Sequence, residues 1–430
     1  MQHDRSQHPI SVQNEKAIEA VLKEIVHPVT LSKIAVFRAL GLRARSLSLP
    51  VMVGLVLSLI WRQMGSVCEL ARVVQREVVL WVPKTKVTQQ AINARLRAMP
   101  AELFENVLEE VLPVMRARWA ARKRPLSKVM TWVQSRYAQV LICDGSTLDA
   151  LIRKVGLLQD LKTHPLAGRM SVLLDMASRL PVWIGYTPDA AAHDQRFWDD
   201  ILSRVREGSL LVFDLGYTNF ERFVQMTRQN ITFVTRAKGN MAFRVQEDIV
   251  RSANVRDRVV WIGESDKDTT QLMRLVEMLY LGKWYRYLSN ELDAQRLPAE
   301  MLIDLYRQRW RIEDAFLTTK SLLGLSYFFC GADNAIRLQL WATWLLYAVL
   351  VDVTDTVAEA LKHPFADISM EMVYRALSHY VHVASQGEAD DPIAYLVANY
   401  KLYGLVKRKK SPRKIKTDTP LLPLTDDDFS

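Results

Sequence analysis

The succession of short apolar runs between positions 136 and 240 limits what this 430-residue chain can fold into more than any other feature. Residues 138–143 (AQVLIC) end in Asp144-Gly145-Ser146-Thr147, and residues 209–213 (SLLVF) end in Asp214-Leu215-Gly216-Tyr217. Short apolar runs closed by Asp-Gly-type turns read as buried strands. Two more strands are expected over 170–177 and 182–186, joined at a Ser-Arg-Leu-Pro turn. Helices are expected over 194–206 and 220–229, with a strand over 231–236. This is an α/β order, and it puts both aspartates at carboxyl-terminal strand ends, where open α/β sheets gather their ligands.

The flanks have other periods. Residues 1–135 read as helical, with three- and four-residue apolar spacing over 31–42, 51–63, 67–75, 88–99 and 102–121. A basic stretch (Arg116, Arg118, Arg122, Lys123, Arg124, Lys128), broken by Pro125, reads as a hinge. Strands are expected over 259–263, 271–277 and 283–289, and helices again over 361–405. The chain is long enough for more than one domain. The expected division is a helical amino-terminal domain (1–135), the first part of an α/β core (136–240), a β-rich insertion (241–297), the rest of the core (298–360) and a helical carboxyl-terminal region (361–430).

The chemistry concentrates in Tyr306-x2-Arg309-x3-Glu313-x6-Lys320. On one straight α-helix these four side chains share roughly a 60° arc, so phenol, guanidinium, carboxylate and ammonium form one stripe. Such a stripe suits phosphate and a metal ion. Two strand-end aspartates and a helical glutamate are the oxygen ligands that Mg²⁺ or Mn²⁺ requires. A pair of such ions can activate the attacking oxygen and stabilise the leaving one in phosphodiester displacement.

In these residues the chain resembles the DDE transposases of bacterial insertion sequences, in the subgroup with a Tyr-Arg-Glu-Lys signature. The likeness is residue for residue at Tyr306, Arg309, Glu313 and Lys320, extends to the DGST context of Asp144 and the DLGY context of Asp214, and spans about 140–324. It implies an RNase H-like catalytic core interrupted by the β-rich insertion. Asp144, Asp214 and Glu313 would be catalytic and would hold two Mg²⁺ (or Mn²⁺) ions, with Tyr306, Arg309 and Lys320 on phosphates of the transposon end. An aromatic of the insertion, Trp284 or Trp261, would stack on a flipped base. The implied partner is double-stranded DNA, as terminal inverted repeats and as target, bound by a homodimer on paired ends. Cleavage would free a 3′-hydroxyl that attacks the opposite strand to form a hairpin, later hydrolysed, or joins target DNA. Two alternatives stay open: a nuclease of the same fold that does not join, and a non-catalytic end-binding protein or inhibitor.

Composition agrees. Lys+Arg total 57 against Asp+Glu 47, a net +10 that favours a polyanionic partner. Three cysteines without a CxxC argue against a disulfide framework or a zinc site, and Cys143 reads as a small apolar strand residue facing away from Asp144. The polar start MQHDRSQHPI has no apolar signal region, and the apolar stretches 47–61 and 338–351 are short for a membrane span, so a cytoplasmic, nucleoid-associated protein without membrane contact is expected. Thr88 caps an expected helix with Ile92, Leu96 and Met99 inward, leaving Gln89, Gln90, Asn93 and Arg97 for base edges and phosphates. The basic tail from Lys407 to Lys416 suits phosphates, whereas Asp426 to Asp428 lack a scaffold and His164 and His193 lack metal-ligand spacing.

Overall fold

The computed structural model describes residues 16–42, 46–148, 168–263, 269–325 and 328–407. His164, the basic tail beyond Lys407 and the terminal aspartates lie outside the described residues. The amino-terminal part comprises α1 (Lys16–Val21), a π-helical turn (Leu22–Val26), α2 (His27–Ser32), α3 (Ile34–Ala39), α4 (Leu49–Trp61), α5 (Val67–Arg76), α6 (Gln89–Ala98), α7 (Glu102–Ala121) and α8 (Lys128–Gln134). Side-chain caps start several of them. Ser66 accepts from the Glu69 amide, Thr88 from Ala91 and Ser127 from Met130. The single helix expected over 31–42 is divided at Lys33, and α8 follows the stretch that Pro125 breaks.

The rest of the chain supplies β1 (Val140–Thr147), β2 (Arg169–Asp175), β3 (Pro181–Thr187), a 3₁₀ turn (Asp194–Phe197), α9 (Trp198–Arg204), β4 (Leu210–Phe213), α10 (Phe220–Arg228) and β5 (Thr232–Arg236). Strands β6 (Arg244–Arg251), β7 (Val255–Ile262), β8 (Gln271–Tyr280) and β9 (Lys283–Ser289) follow, then α11 (Ala299–Arg307), α12 (Trp310–Leu317), α13 (Asp333–Ala360), α14 (Met370–Ser385) and α15 (Pro392–Ala398). The nine strands among the described residues form one sheet in the order β3-β2-β1-β4-β5-β9-β8-β7-β6. Strands β1, β4 and β5 run parallel, and every other neighbouring pair is antiparallel. The β-rich insertion is therefore an extension of the core sheet. It joins where Val234 of β5 pairs with Ser289 of β9. Asn290 locks the seam by accepting from the Phe233 amide at 2.8 Å and donating to the Ile231 carbonyl at 2.9 Å. Edge strand β6 has no buried side to announce it in the sequence, since it is exposed along nearly its whole length.

Strand alternation gives the sheet two covered faces. Ile142, Leu174, Val212 and Val234 pack with the amino-terminal helices, α11, α12 and α13. Leu141, Cys143, Leu173, Phe213 and Phe233 pack with Trp198 of α9 and Phe223 of α10. The mixed α/β core with helices flanking a multi-stranded sheet is as expected. The apolar stretch read as 338–351 belongs to a 28-residue helix, α13, long and apolar enough to cross a membrane, yet 94% of its apolar window is buried inside the protein. It is the central core helix.

The basic stretch expected as a hinge is instead tied down. Arg122 reaches Asp352 at 2.6 Å and Asp355 at 3.0 Å, Arg118 reaches Asp352 at 3.1 Å, and Arg124 Nε lies 2.6 Å from Asp355. These ion pairs rivet the end of α7 to α13.

Candidate active site

Parallel pairing of β1 with β4 stops at Cys143 and Phe213. The next residue on each strand is an aspartate, Asp144 or Asp214. One correction concerns Asp144: it is not a strand end, because β1 continues antiparallel to β2 as far as Thr147 opposite Arg169. It stands where β1 outruns β4. Ile142 and Val212, two residues earlier, face α11 and α12, and alternation turns both aspartates to that same side.

The stripe from Tyr306 to Lys320 is not one straight α-helix. Helix α11 ends at Arg307, α12 begins at Trp310, and Thr318–Leu322 is a π-helical turn closed by the Leu323 amide on the Thr318 carbonyl. Bonds from residue i to i−3 tighten the turn at Arg309, and Tyr306, Arg309 and Lys320 arrive at the sheet, whereas Glu313 is part-exposed and meets only Arg309 among the described contacts. The Tyr306 hydroxyl donates to Asp214 Oδ1 at 3.1 Å. Arg309 donates to Asp144 Oδ2, and the same nitrogen lies 3.8 Å from Glu313 Oε1. Lys320 donates to Ser146 Oγ of the DGST segment. Each signature residue thus meets one of the two aspartate motifs or a neighbour within the signature.

Electrostatics explain why these groups matter to each other. Asp144 is only 8% exposed. Burial pushes its carboxyl up to about 7; Arg309 and the Gly145 amide (2.8 Å) oppose this, while Glu313 and Asp214 reinforce it. Burial works against the charge of Arg309, but Asp144, Tyr306, Asp214 and Glu313 together hold its pKa above the ordinary value. Burial raises the Tyr306 phenol, which therefore keeps its proton and donates to Asp214. Cys143 is fully buried on the opposite face with its thiol pushed up by desolvation, which excludes it as a nucleophile at neutral pH.

Among the described residues no three acidic, histidine or cysteine side chains stand close enough to cage a cation. The donor chemistry nonetheless fits a hard divalent ion. Asp144, Asp214 and Glu313 offer only oxygen, and each of the other two acids raises the cost of ionising Asp144, a repulsion that added positive charge relieves. Arg309 supplies that charge here. Its Nε has no hydrogen-bond partner among the described residues, so one donor of the guanidinium is left over.

The insertion tryptophans sit elsewhere on the sheet. Trp284 lies on β9 beyond the last β5–β9 pair, with the Arg256 guanidinium 4.2 Å over its ring, and Trp261 donates to Gln246 at 3.0 Å. His193 is exposed. Along α6 and its carboxyl-terminal cap, Ile92, Leu96 and Met99 are buried while Gln89, Gln90 and Arg97 are exposed, as the spacing predicts, but Asn93, expected outward with them, is half-buried with its Oδ1 covered. Three neighbours of the site escaped sequence reasoning. Arg236 ends β5, lies 5.8 Å over the Tyr285 ring and acts on the Tyr306 phenol, and the strand-end rule applied to β5 would have found it. Arg169 and Asp194 form a forked pair beside Gly145, and the glycines after each aspartate were the available signal.

A family model described as the transposase DDE domain matches residues 161–349, less than half of the chain. The family-level likeness is to DDE-type transposases. The chain is 29% identical over 200 residues to "Putative transposase y4zB" of Sinorhizobium fredii, covering 42% of this chain and 52% of that protein. It is 29% identical over 147 residues to "Probable transposase for insertion sequence element IS5377" of Geobacillus stearothermophilus, covering 33% and 38%. It is 22% identical over 163 residues to "Putative transposase for insertion sequence element IS4SA" of Synechocystis, covering 37% and 45%. The matches thus span about half or less of the length of these curated relatives. Among solved structures, a piggyBac transposase synaptic complex with hairpin DNA aligns over 93% of this chain and 86% of its own, at 12% identity and a TM-score of 0.42.

Proposed function

We propose that this protein is a DDE transposase with the Tyr-Arg-Glu-Lys signature, built on an RNase H-like core (β1 to β5), which cuts DNA at the ends of an insertion sequence and joins the freed end to target DNA. One observation carries the reading. Tyr306 and Arg309, from one signature, each bond to a different strand aspartate, Asp214 and Asp144, 92 and 165 residues away along the chain. Asp144, Asp214 and Glu313 would hold one or two Mg²⁺ or Mn²⁺ ions, which supply activation of the attacking oxygen and charge stabilisation on the leaving one.

The chain's own groups do the remaining work. Arg309 would turn its fork to the scissile phosphate, where its Nε–H, without a hydrogen-bond partner among the described residues, would gain an acceptor. Lys320 sits beside it to neutralise the adjacent phosphate, held in reach by Ser146. Tyr306 fixes one oxygen of Asp214 and leaves the other for the reaction. Water, then the freed 3′-hydroxyl, is the nucleophile, so no covalent protein–DNA link is needed. Trp284 serves the DNA end by stacking, residues 1–135 and the exposed face of α6 bind end sequence, and a homodimer working in the cytoplasm brings two ends together.

The test is Mg²⁺-dependent cleavage and joining of the element's own end DNA, comparing the parent with Asp144→Ala, Asp214→Ala and Glu313→Ala. Cleaved and joined product from the parent, absent from all three variants, is the expected result. Nicked product that is never joined indicates a nuclease of the same fold. End binding without cleavage, with all three acids intact, indicates a non-catalytic binding protein.

A further inference from the structure

Parallel hydrogen bonding between β1 and β4 ends one residue before Asp144 and Asp214, so the sheet ladder itself does not fix the two carboxylates relative to each other. Something else must. The 3₁₀ turn Asp194–Phe197 crosses behind both motifs, on the face opposite Tyr306 and Arg309. Asp194 stands at its start and accepts a fork from Arg169, Nε to Oδ1 and Nη2 to Oδ2, both at 2.7 Å. Arg169 is the β2 residue paired with Thr147 of the DGST segment.

Asp194 also occupies the space of two missing side chains. A Cβ at Gly145 would lie 1.9 Å from Asp194 Oδ1, and one at Gly216 would lie 3.3 Å from Oδ2. One carboxylate therefore packs against the glycine that follows Asp144 and the glycine two residues after Asp214. Gly145 in turn donates its amide to Asp144 Oδ1 at 2.8 Å. The same turn is laced to the Asp214 loop, where Gln195 donates to the Thr218 carbonyl at 3.0 Å and Trp198 to the Tyr217 carbonyl at 3.2 Å. Tyr217 closes the circuit through its hydroxyl, 2.9 Å from Ser171 Oγ, opposite Gly145 on β2.

We infer that the Arg169–Asp194 pair is a strut that sets the spacing of Asp144 and Asp214, with Asp194 a positioning residue that touches neither DNA nor metal. The inference rests on the proposed function, because spacing matters only if the two acids act together. Groups that orient metal ligands from behind typically change metal affinity or activity by about 10- to 100-fold when removed. Asp194→Asn keeps the shape and removes the charge. Arg169→Lys keeps the charge and removes the fork.

The experiment measures Mn²⁺ binding by calorimetry to the full chain without DNA, alongside end-DNA affinity and thermal midpoint, for the parent, Asp144→Ala, Asp194→Asn and Arg169→Lys. The expected result is Mn²⁺ binding lost in Asp144→Ala and weakened about 10- to 100-fold in Asp194→Asn and Arg169→Lys, with DNA affinity within about twofold of the parent. The double variant should be no weaker than either single one, since both break one pair. If Asp194→Asn folds poorly, Arg169→Lys alone decides. Parent-like Mn²⁺ binding in the strut variants, with Asp144→Ala defective, overturns the strut alone. Equal binding by the parent and Asp144→Ala overturns the proposed function, and the strut with it.

Discussion

Two arginine–acid clusters among the described residues are balanced in opposite ways. At the end of α7, Arg118, Arg122 and Arg124 face Asp352 and Asp355 of α13, so every acid is matched by more than one cation. At the sheet, one arginine, Arg309, pairs with both Asp144 and Glu313 among the described residues, while Asp214 is met by a phenol. The first cluster closes a seam between helices. The second leaves negative charge in excess, and Asp144 registers it as a carboxyl raised to about 7 by burial and its acidic neighbours. A run of basic residues in sequence is therefore a poor guide to a nucleic-acid surface, whereas an acid excess held open by tertiary structure is a better guide to a reactive site.

The comparison is broken most severely by removing an acid from the second cluster. Asp144→Ala, Asp214→Ala or Glu313→Ala is expected to lower the turnover of end-DNA cleavage by about 10⁴-fold in protein that still folds. Removing an acid from the first cluster should do the reverse. Asp355→Ala leaves buried Arg124 without its carboxylate and Arg122 with Asp352 alone, and is expected to cost about 3–5 kcal/mol in denaturant unfolding, with the surviving folded protein cleaving at the parental rate. A cleavage defect in folded Asp355→Ala would show that the seam is part of the reaction.

Smaller changes sharpen the contrast. Tyr306→Phe deletes one hydrogen bond to a charged acceptor, worth about 1.5–3 kcal/mol, so turnover should fall about 10- to 100-fold with DNA affinity unchanged. An unchanged turnover would remove Tyr306 from the site. A last effect, separate from turnover, is on stability against pH in metal-free protein. Asp144 binds its proton more tightly folded than unfolded, so its share of stability is lost as pH rises from 3.8 to about 7 and is constant above. Asp144→Asn should lack that share. The thermal midpoint of the variant relative to the parent should rise across the same window, and a flat difference would contradict the burial argument.

Much of the fold was legible because it follows local periods. Strand β9 runs over the residues its pattern marks, Thr88 caps α6 as its position predicts, and α7 begins and ends where its apolar spacing does. Strand β6 was missed because an exposed edge has no inward side to alternate. The break between α11 and α12 was missed because the residues around 308 carry no proline or glycine to mark it. At the site, Asp144, Asp214 and the four signature residues were named from sequence, and the structure brings Tyr306, Arg309 and Lys320 to the aspartate motifs. Asp194 and Arg169 were not named, since an ion pair between residues 25 apart leaves no periodic trace.

Sequence alone determined the alternation of strands and helices, the two acids that end apolar runs and the residue types of the signature, since each depends on neighbours within a few positions. Tertiary structure alone decided that the insertion widens the core sheet, that the basic run after α7 faces α13 rather than solvent, and that Asp194 backs both aspartate loops. Those outcomes depend on which distant groups share a low-dielectric contact, and such energies are set by distance in space, not along the chain.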